Sequence, residues 1–153
     1  MYRIDDNLKE FVESGVAVVV GTGNEARRPH IAYGWAPRVH EDRTTLDVFL
    51  DAARAEKTLT NLRANGRIAV TFADPVSYRS VQLKGVFRKV GAPEGPDRDW
   101  VQQGREAFAV ATSLIGDDPT VSRNRWLKDV VRVEFVVERA FDQTPGPGAG
   151  KPL

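Results

Sequence analysis

Period-two alternation, repeated along the chain, is the feature that most restricts how this protein can fold. In "TTLDVFLD" Leu46, Val48 and Leu50 alternate with Asp47, Phe49 and Asp51, and in "RIAVTF" Ile68, Val70 and Phe72 share one side. Successive side chains of a strand point to opposite faces, so each stretch reads as a strand with one buried face. The stretch "SYRSVQLKG", residues 77–85, obeys the same rule with an odd second face: Val81 and Leu83 point one way, and Ser80, Gln82 and Lys84 the other. Such a polar row is either simply wet or placed to hold something.

Further strands follow from the same pattern. "VAVVV" reads as a buried strand, and the turn-rich "GTGNEARRP" joins it to "HIAYGWAPRV" as a hairpin. The opening stretch continues as a long strand through Val90, and "VVRVEFVVERAF" is the last, with Val131, Val133, Phe135 and Val137 on its apolar face. Helical spacing interrupts the strands. Leu8, Phe11 and Val12 mark a short helix ended by Ser14-Gly15, and Ala55, Leu59 and Leu62 mark another, stopped by Asn65-Gly66. After "GAPEGP", Asp97 is placed to cap a third helix, whose stripe is Trp100, Gly104, Phe108, Ala111 and Ile115 and which Gly116 closes. "DDPTVSRNRWLKD" makes one more short helix, with Pro119 near its first turn. Strands joined by short turns, with no regular crossover helices, predict a mainly β fold, a small six-stranded antiparallel barrel. Residues 1–142 read as one domain and "DQTPGPGAGKPL" as a Pro/Gly-rich tail over residues 143–153.

Composition removes several function classes. The chain has 153 residues, with 22 Lys and Arg against 21 Asp and Glu, a net charge of +1. That balance argues against a dedicated nucleic-acid binder, and any anion site must be local. With no cysteine there is no disulfide, thiolate nucleophile or zinc-cysteine site. His30 and His40 match no zinc or metalloprotease spacing, so no metal is expected. The acidic "MYRIDDNLKEF" start and an apolar run of only Val16 to Val20 predict neither a signal core nor a membrane span, and a cytoplasmic protein is expected. "GTGNE" lacks the third glycine of a dinucleotide loop and leads into a hairpin rather than a helix. No serine has an identifiable base beside it.

What remains is a set of cations and hydroxyls at strand ends and one helix start. "ARAEKTLTNL" puts Arg54, Lys57 and Thr58 where a strand hands over to a helix, whose first N–H groups attract an anion. On composition alone, ordinary solvated charges on a helix are the favoured reading of Arg54 and Lys57.

The run "EKTLTNLRANGRIAVTFADPVSYRSVQLKG" resembles the central signature of the pyridoxamine 5′-phosphate oxidase-like flavin proteins, and "GVAVVVGTGNEARRPHIAYGW" resembles their first hairpin. The resemblance spans about residues 8–90 and implies the FMN-binding split barrel, a homodimer with one FMN in each of two clefts at its interface. It places the flavin phosphate at Lys57 and Thr58 and the family's cofactor-binding glutamine at Ser80, with Gln82 and Lys84 on the same face. Arg38 is a looser match to a phosphate-binding basic segment. The implied activity is an FMN-dependent oxidoreductase acting on a small molecule, with no partner nucleic acid or membrane. The series of phosphate-binding residues on the family's helix survives here only as Arg105 and Ser113, with Ala109 between them, and the C-terminal arginine and histidine motif has no counterpart in the tail. A substrate other than vitamin B6 phosphate is therefore expected.

Two readings from other classes stay open. One is a non-enzymatic module that stores or senses flavin or haem, with His30 or His40 as the axial ligand. The other is an oligonucleotide-binding barrel, weakened by neutral charge and few strand-face aromatics. Trp35 and Trp126 are either ring-stacking platforms or core, and Gln143 and Thr144 begin either a segment over a partner's cleft or a loose end.

Overall fold

A computed structural model describes residues 1–124 and 129–153. Six strands close a barrel in the order β1-β2-β3-β6-β5-β4, every neighbouring pair antiparallel. They are β1 (Ala17–Gly23), β2 (Pro29–Val39), β3 (Thr45–Asp51), β4 (Arg67–Ala73), β5 (Ser80–Gly91) and β6 (Val130–Asp142). Among the described residues four helices accompany them: α1 (Asp6–Glu13), α2 (Glu56–Asn65), α3 (Gly95–Ser113) and α4 (Pro119–Asn124), with a 3-10 turn over Ala52–Arg54 between β3 and α2. No described helix is long and apolar enough to cross a membrane.

Alternation builds the interior. Val18, Val20, Leu46, Val48, Leu50, Val70, Phe72, Leu83, Val133 and Phe135 all point inward and are buried, and α1 adds Leu8, Phe11 and Val12 to the same core. β3 departs from simple alternation, because all seven of its residues are buried. Its second face, Asp47, Phe49 and Asp51, is buried as well, with Phe49 packed among Ala36, Val101 and Val130, which is why two acids there need partners.

The fifth strand starts later than its alternation predicts. Ser77 and Tyr78 belong to a turn, closed by Asp74, whose carboxylate accepts from the Val76 N–H at 2.8 Å and the Ser77 hydroxyl at 2.7 Å. Tyr78 takes a φ of +63°, incompatible with a strand.

β6 is longer than the barrel needs. Its pairing with β3 ends at Val136, whereas its pairing with β5 runs on to Asp142. The Gln143 N–H extends the β5 pairing to the Ser80 carbonyl at 2.8 Å, while the open edge is covered from within the chain, the Asp142 N–H donating to Lys151 at 2.9 Å and the Leu153 N–H to Ala140 at 3.0 Å. The tail is thus neither a loose end nor reaching outward: it folds back along β6, with Pro152 bridging Phe141, and so blunts an unpaired strand edge.

Candidate functional site

A groove of about 1000 Å³ lies between the outer side of β2 and α3, and Asp51, Arg54 and Ala55 also line it. Its α3 wall is held by close backbone approach. β2 bulges between Trp35 and Arg38, leaving Ala36 at a φ of +42°. The bulge turns the Ala36 carbonyl toward α3, where it accepts from the Trp100 indole N–H at 2.9 Å. A Cβ on Gly104 would sit 2.6 Å from the Ala36 Cβ and 3.0 Å from its Cα, so only glycine permits this contact. Gly104→Val should displace the wall at a cost of about 1–3 kcal/mol, seen as a lower melting temperature and an altered near-UV tryptophan spectrum.

Charge fixes the start of α3. Asp97, 2 % exposed, accepts from Arg38 at 2.8 Å and Arg132 at 3.1 Å, and its Oδ2 takes the Glu94 N–H at 2.9 Å. Burial alone would raise the Asp97 pKa, but the Glu94 N–H and the Arg38 and Arg132 charges hold it below the usual carboxylate range. The residue expected to cap the helix therefore lies inside its first turn, behind Glu94.

The buried stripe of α3 is Asp97, Val101, Arg105, Ala109 and Thr112, one position on from the stripe the sequence suggests. The suggested stripe instead supplies the groove: Trp100, Gly104 and Phe108 line it. Trp35, half-buried on β2, meets Phe108 edge to face at 5.9 Å. Arg105 turns inward, its guanidinium 5.6 Å from the Trp35 ring. Burial lowers its pKa, opposed by the charge of Asp51. The Arg105, Ala109 and Ser113 series is accordingly not a phosphate clamp facing the groove. Trp126 lies outside the described residues.

The six residues singled out from sequence are scattered over this scaffold. Arg38 is locked between Asp47 at 2.7 Å and Asp97, beside a separate hollow of about 630 Å³. Two carboxylates already neutralise it, so it is a structural pin and not an open phosphate ligand. Lys57 is exposed in the first turn of α2, and Thr58 is wholly buried with its hydroxyl unpaired. Ser80, Gln82 and Lys84 do share an outward face of β5, where Gln82 donates to the Thr71 hydroxyl at 3.0 Å and Lys84 stands 4.9 Å over the Phe141 ring. None of the six lines the groove. Trp35, singled out from sequence as a stacking platform or core, does line it; what the groove adds, Asp51 and Trp100, carries no local sequence signal beyond strand alternation and helical spacing.

His40, Asp47 and Glu134 come within 4.8 Å of one another in the smaller hollow. His40 bonds Asp47 at 3.1 Å, Arg38 shares that oxygen, and Lys89 pairs with Glu134 at 3.3 Å. Arg38 and Lys89 thus pair with the two acids, while the second Asp47 oxygen, Oδ1, is buried without a hydrogen-bond partner among the described residues. His30, in contrast, lines the large groove.

α2 begins with Ala55 as its N-cap, which offers no side-chain acceptor to the helix. Ala55 lines the cavity beside Arg54, so the start of the helix, with its partial positive charge, adjoins it. Residues 4–143 match the family model described as pyridoxamine 5′-phosphate oxidase. The chain belongs to that family. No functionally curated protein matches it. Among solved structures, HupZ of Group A Streptococcus superposes with a TM-score of 0.58 at 19% identity, over 96% of this chain and 99% of that one. An F420 reductase gives 0.57 at 14% identity, covering 90% and 98%. An FMN-binding protein of Syntrophomonas wolfei gives 0.51 at 16%, covering 90% and 87%. At these identities the likeness establishes the fold that the pyridoxamine 5′-phosphate oxidase family shares, an antiparallel split barrel of mainly β type.

Proposed function

We propose that this protein binds FMN in the groove, with the phosphate at the start of α2, and acts as an FMN-dependent oxidoreductase on a small substrate. The observation that carries this reading is that Arg54 and Ala55, the N-cap of α2 with no side-chain acceptor, line one cavity, with Lys57 in the adjoining turn. A phosphate dianion needs several charge-assisted donors in place of its water, and Arg54 with the backbone N–H groups at the start of α2 would supply them. Trp35, Trp100 and Phe108 offer apolar area for a flat ring. A bound flavin supplies the electron chemistry, taking electrons from a donor such as a reduced nicotinamide and passing them on. The chain's part is to bind, orient and exclude water.

The reading includes a homodimer. On the outer sheet, β1 and β4 present Ala17, Val19 and Gly21 against Ala73, Thr71 and Ala69. Ile31 and Tyr33, 68% and 75% exposed, border this face on the β2 side, and Gln82, Lys84, Phe141 and Arg139 border it on the other. Small central residues allow close approach of a second copy. A two-fold axis across the strands would set Lys84 and Arg139 against their own copies, so an axis along the strands is preferred, bringing Lys84 toward the partner subunit's Tyr33 and its groove.

Two measurements test this. Purified protein should show, or take up, the two visible absorption bands of flavin, and reduced nicotinamide should bleach them faster than free FMN. Because the chain has no cysteine, Tyr33→Cys and Lys84→Cys can be mixed and treated with a short bismaleimide. Mixed cross-links are expected; exclusively Lys84→Cys self-links, or a monomer by sedimentation, would reject the dimer.

A haem-storing or haem-sensing module is the second reading, favoured by one feature, the placement of His30 in the groove. A Soret band that shifts in His30→Ala would establish it in place of the flavin.

A further inference from the structure

We propose that His40, Asp47 and Glu134 form a binding site for a divalent metal ion of the zinc class on the outer sheet, apart from the groove and independent of the flavin reading. Strand register builds it. Arg38 of β2, Asp47 of β3, Glu134 of β6 and Lys89 of β5 are successive cross-strand partners and form one row across four strands. The charges run plus, minus, minus, plus, so the two central carboxylates stand directly opposite each other. Like charges in that position destabilise a sheet, and a cation between them removes the repulsion. His40, one residue beyond β2, brings its imidazole to the same place, and one ligand atom from each of the three lies within 4.8 Å of the others.

The flanking cations leave this pair incompletely served. Arg38 and His40 both use Asp47 Oδ2, at 2.7 and 3.1 Å. Oδ1 belongs to a side chain only 1% exposed and has no hydrogen-bond partner among the described residues. Such an oxygen is costly to keep, so it points to a ligand. Lys89 reaches Glu134 at 3.3 Å with a side chain 63% exposed, an ion pair of little strength. The hollow as a whole favours a cation. Among the described residues five carboxylates line it against three basic side chains, Arg38, Lys89 and Arg132, a deficit of two positive charges with His40 neutral. That deficit matches one divalent ion.

An imidazole with two carboxylates is a donor set suited to zinc. Zinc bonds of about 2.0–2.2 Å set ligand atoms up to about 4 Å apart, which small side-chain rotations reach from the present spacing. To ligate, His40 releases Asp47 Oδ2 and binds through Nε2 with its proton on Nδ1. Asp47 offers Oδ1 and keeps Oδ2 for Arg38, and Glu134 offers a carboxylate oxygen. The ligands stand seven and eighty-seven residues apart along the chain, so no local spacing announces them.

Zinc ion alone is the probe. Untagged full-length protein, stripped with a chelator and then freed of it, should take up one Zn²⁺ per chain in calorimetric titration, with a dissociation constant of about 10 μM or tighter. Its melting temperature should rise by about 5 °C or more at a hundredfold excess over that constant. Two histidines and no cysteine keep background uptake low. Zinc should move the imidazole nitrogen resonances of His40 and leave those of His30 in place. His40→Ala and Glu134→Gln should each weaken binding at least about tenfold, whereas His30→Ala should bind as the wild type does. Glu134→Gln also guards against misfolding: it removes the like charge opposite Asp47, so without metal it should melt at or above the wild-type temperature while its zinc affinity falls. The proposal is overturned by a wild type that takes up no zinc, by undiminished uptake in His40→Ala or Glu134→Gln, by a zinc-induced shift at His30 in place of His40, or by a Glu134→Gln protein that loses affinity only together with metal-free stability. None of these results bears on flavin binding.

Discussion

Gly85→Val is expected to prevent closure of the barrel. A Cβ at Gly85 would lie 2.0 Å from the Val136 carbonyl oxygen and 2.9 Å from its carbon. Those are backbone atoms of the neighbouring strand, so no rotamer change relieves the overlap; β5 and β6 must separate. They meet here through a register shift between Lys84 and Gly85. That shift packs the strands so tightly that no side chain fits between them. Even Gly85→Ala should cost about 3 kcal/mol or more, lowering the melting temperature by roughly 6–12 °C in a chain of this size. Gly95→Ala is the control: nothing lies within 4 Å of that position, at the start of α3. It should melt at or slightly above the wild-type temperature. Equal stability for the two alanine variants would contradict the described strand packing.

Asp97→Ala is expected to be nearly as damaging, by a different route. The carboxylate holds Arg38 of β2 and Arg132 of β6 to the first turn of α3, and its side chain is 3% exposed. Removing one partner from such a network typically costs about 3–5 kcal/mol, because buried charge is left behind. Arg38 keeps Asp47, which places the expectation at the lower end. The α3 wall would loosen, so ligand affinity should fall together with stability in chemical denaturation.

The pH dependence follows from the same carboxylate. Its pKa is lower in the folded protein than in the unfolded chain, so the folded state holds the proton less tightly. The contribution is complete above the ordinary aspartate value of about 4 and disappears as pH falls through the folded value. Asp42, held at about 2 by the Thr45 hydroxyl and the Thr44 and Thr45 N–H groups against the raising effect of burial, adds to the same acid limb. The stability gap between wild type and Asp97→Ala should be constant from pH 5 to 7 and shrink below about pH 4. A gap that persists unchanged in acid would show that Asp97 acts through packing and not through charge.

The amino-acid sequence by itself determined the six strands, the three longer helices and the family, because alternation, helical spacing and glycine stops act over a few residues. Leu46, Val48 and Leu50 face inward as their spacing requires, and α2 stops at Gly66 in the left-handed conformation. Even the outward row of Ser80, Gln82 and Lys84 was legible from parity alone. Only the tertiary structure decided which outward face is covered. The side of β3 carrying Asp47 and Asp51 reads as polar and solvated, yet it is buried, with Phe49 packed against Val101 of α3 and Asp47 held by Arg38 of β2. Arg38 reads as an available cation, yet two acids, nine and fifty-nine residues away along the chain, consume its charge. The stripe of Trp100, Gly104 and Phe108 reads as core but becomes a groove wall, because α3 is rotated by one position where the Ala36 bulge meets Gly104. Each is a contact between residues distant in sequence, and local periodicity, which governs only torsion angles and facing, carries no information about what arrives from elsewhere in the chain.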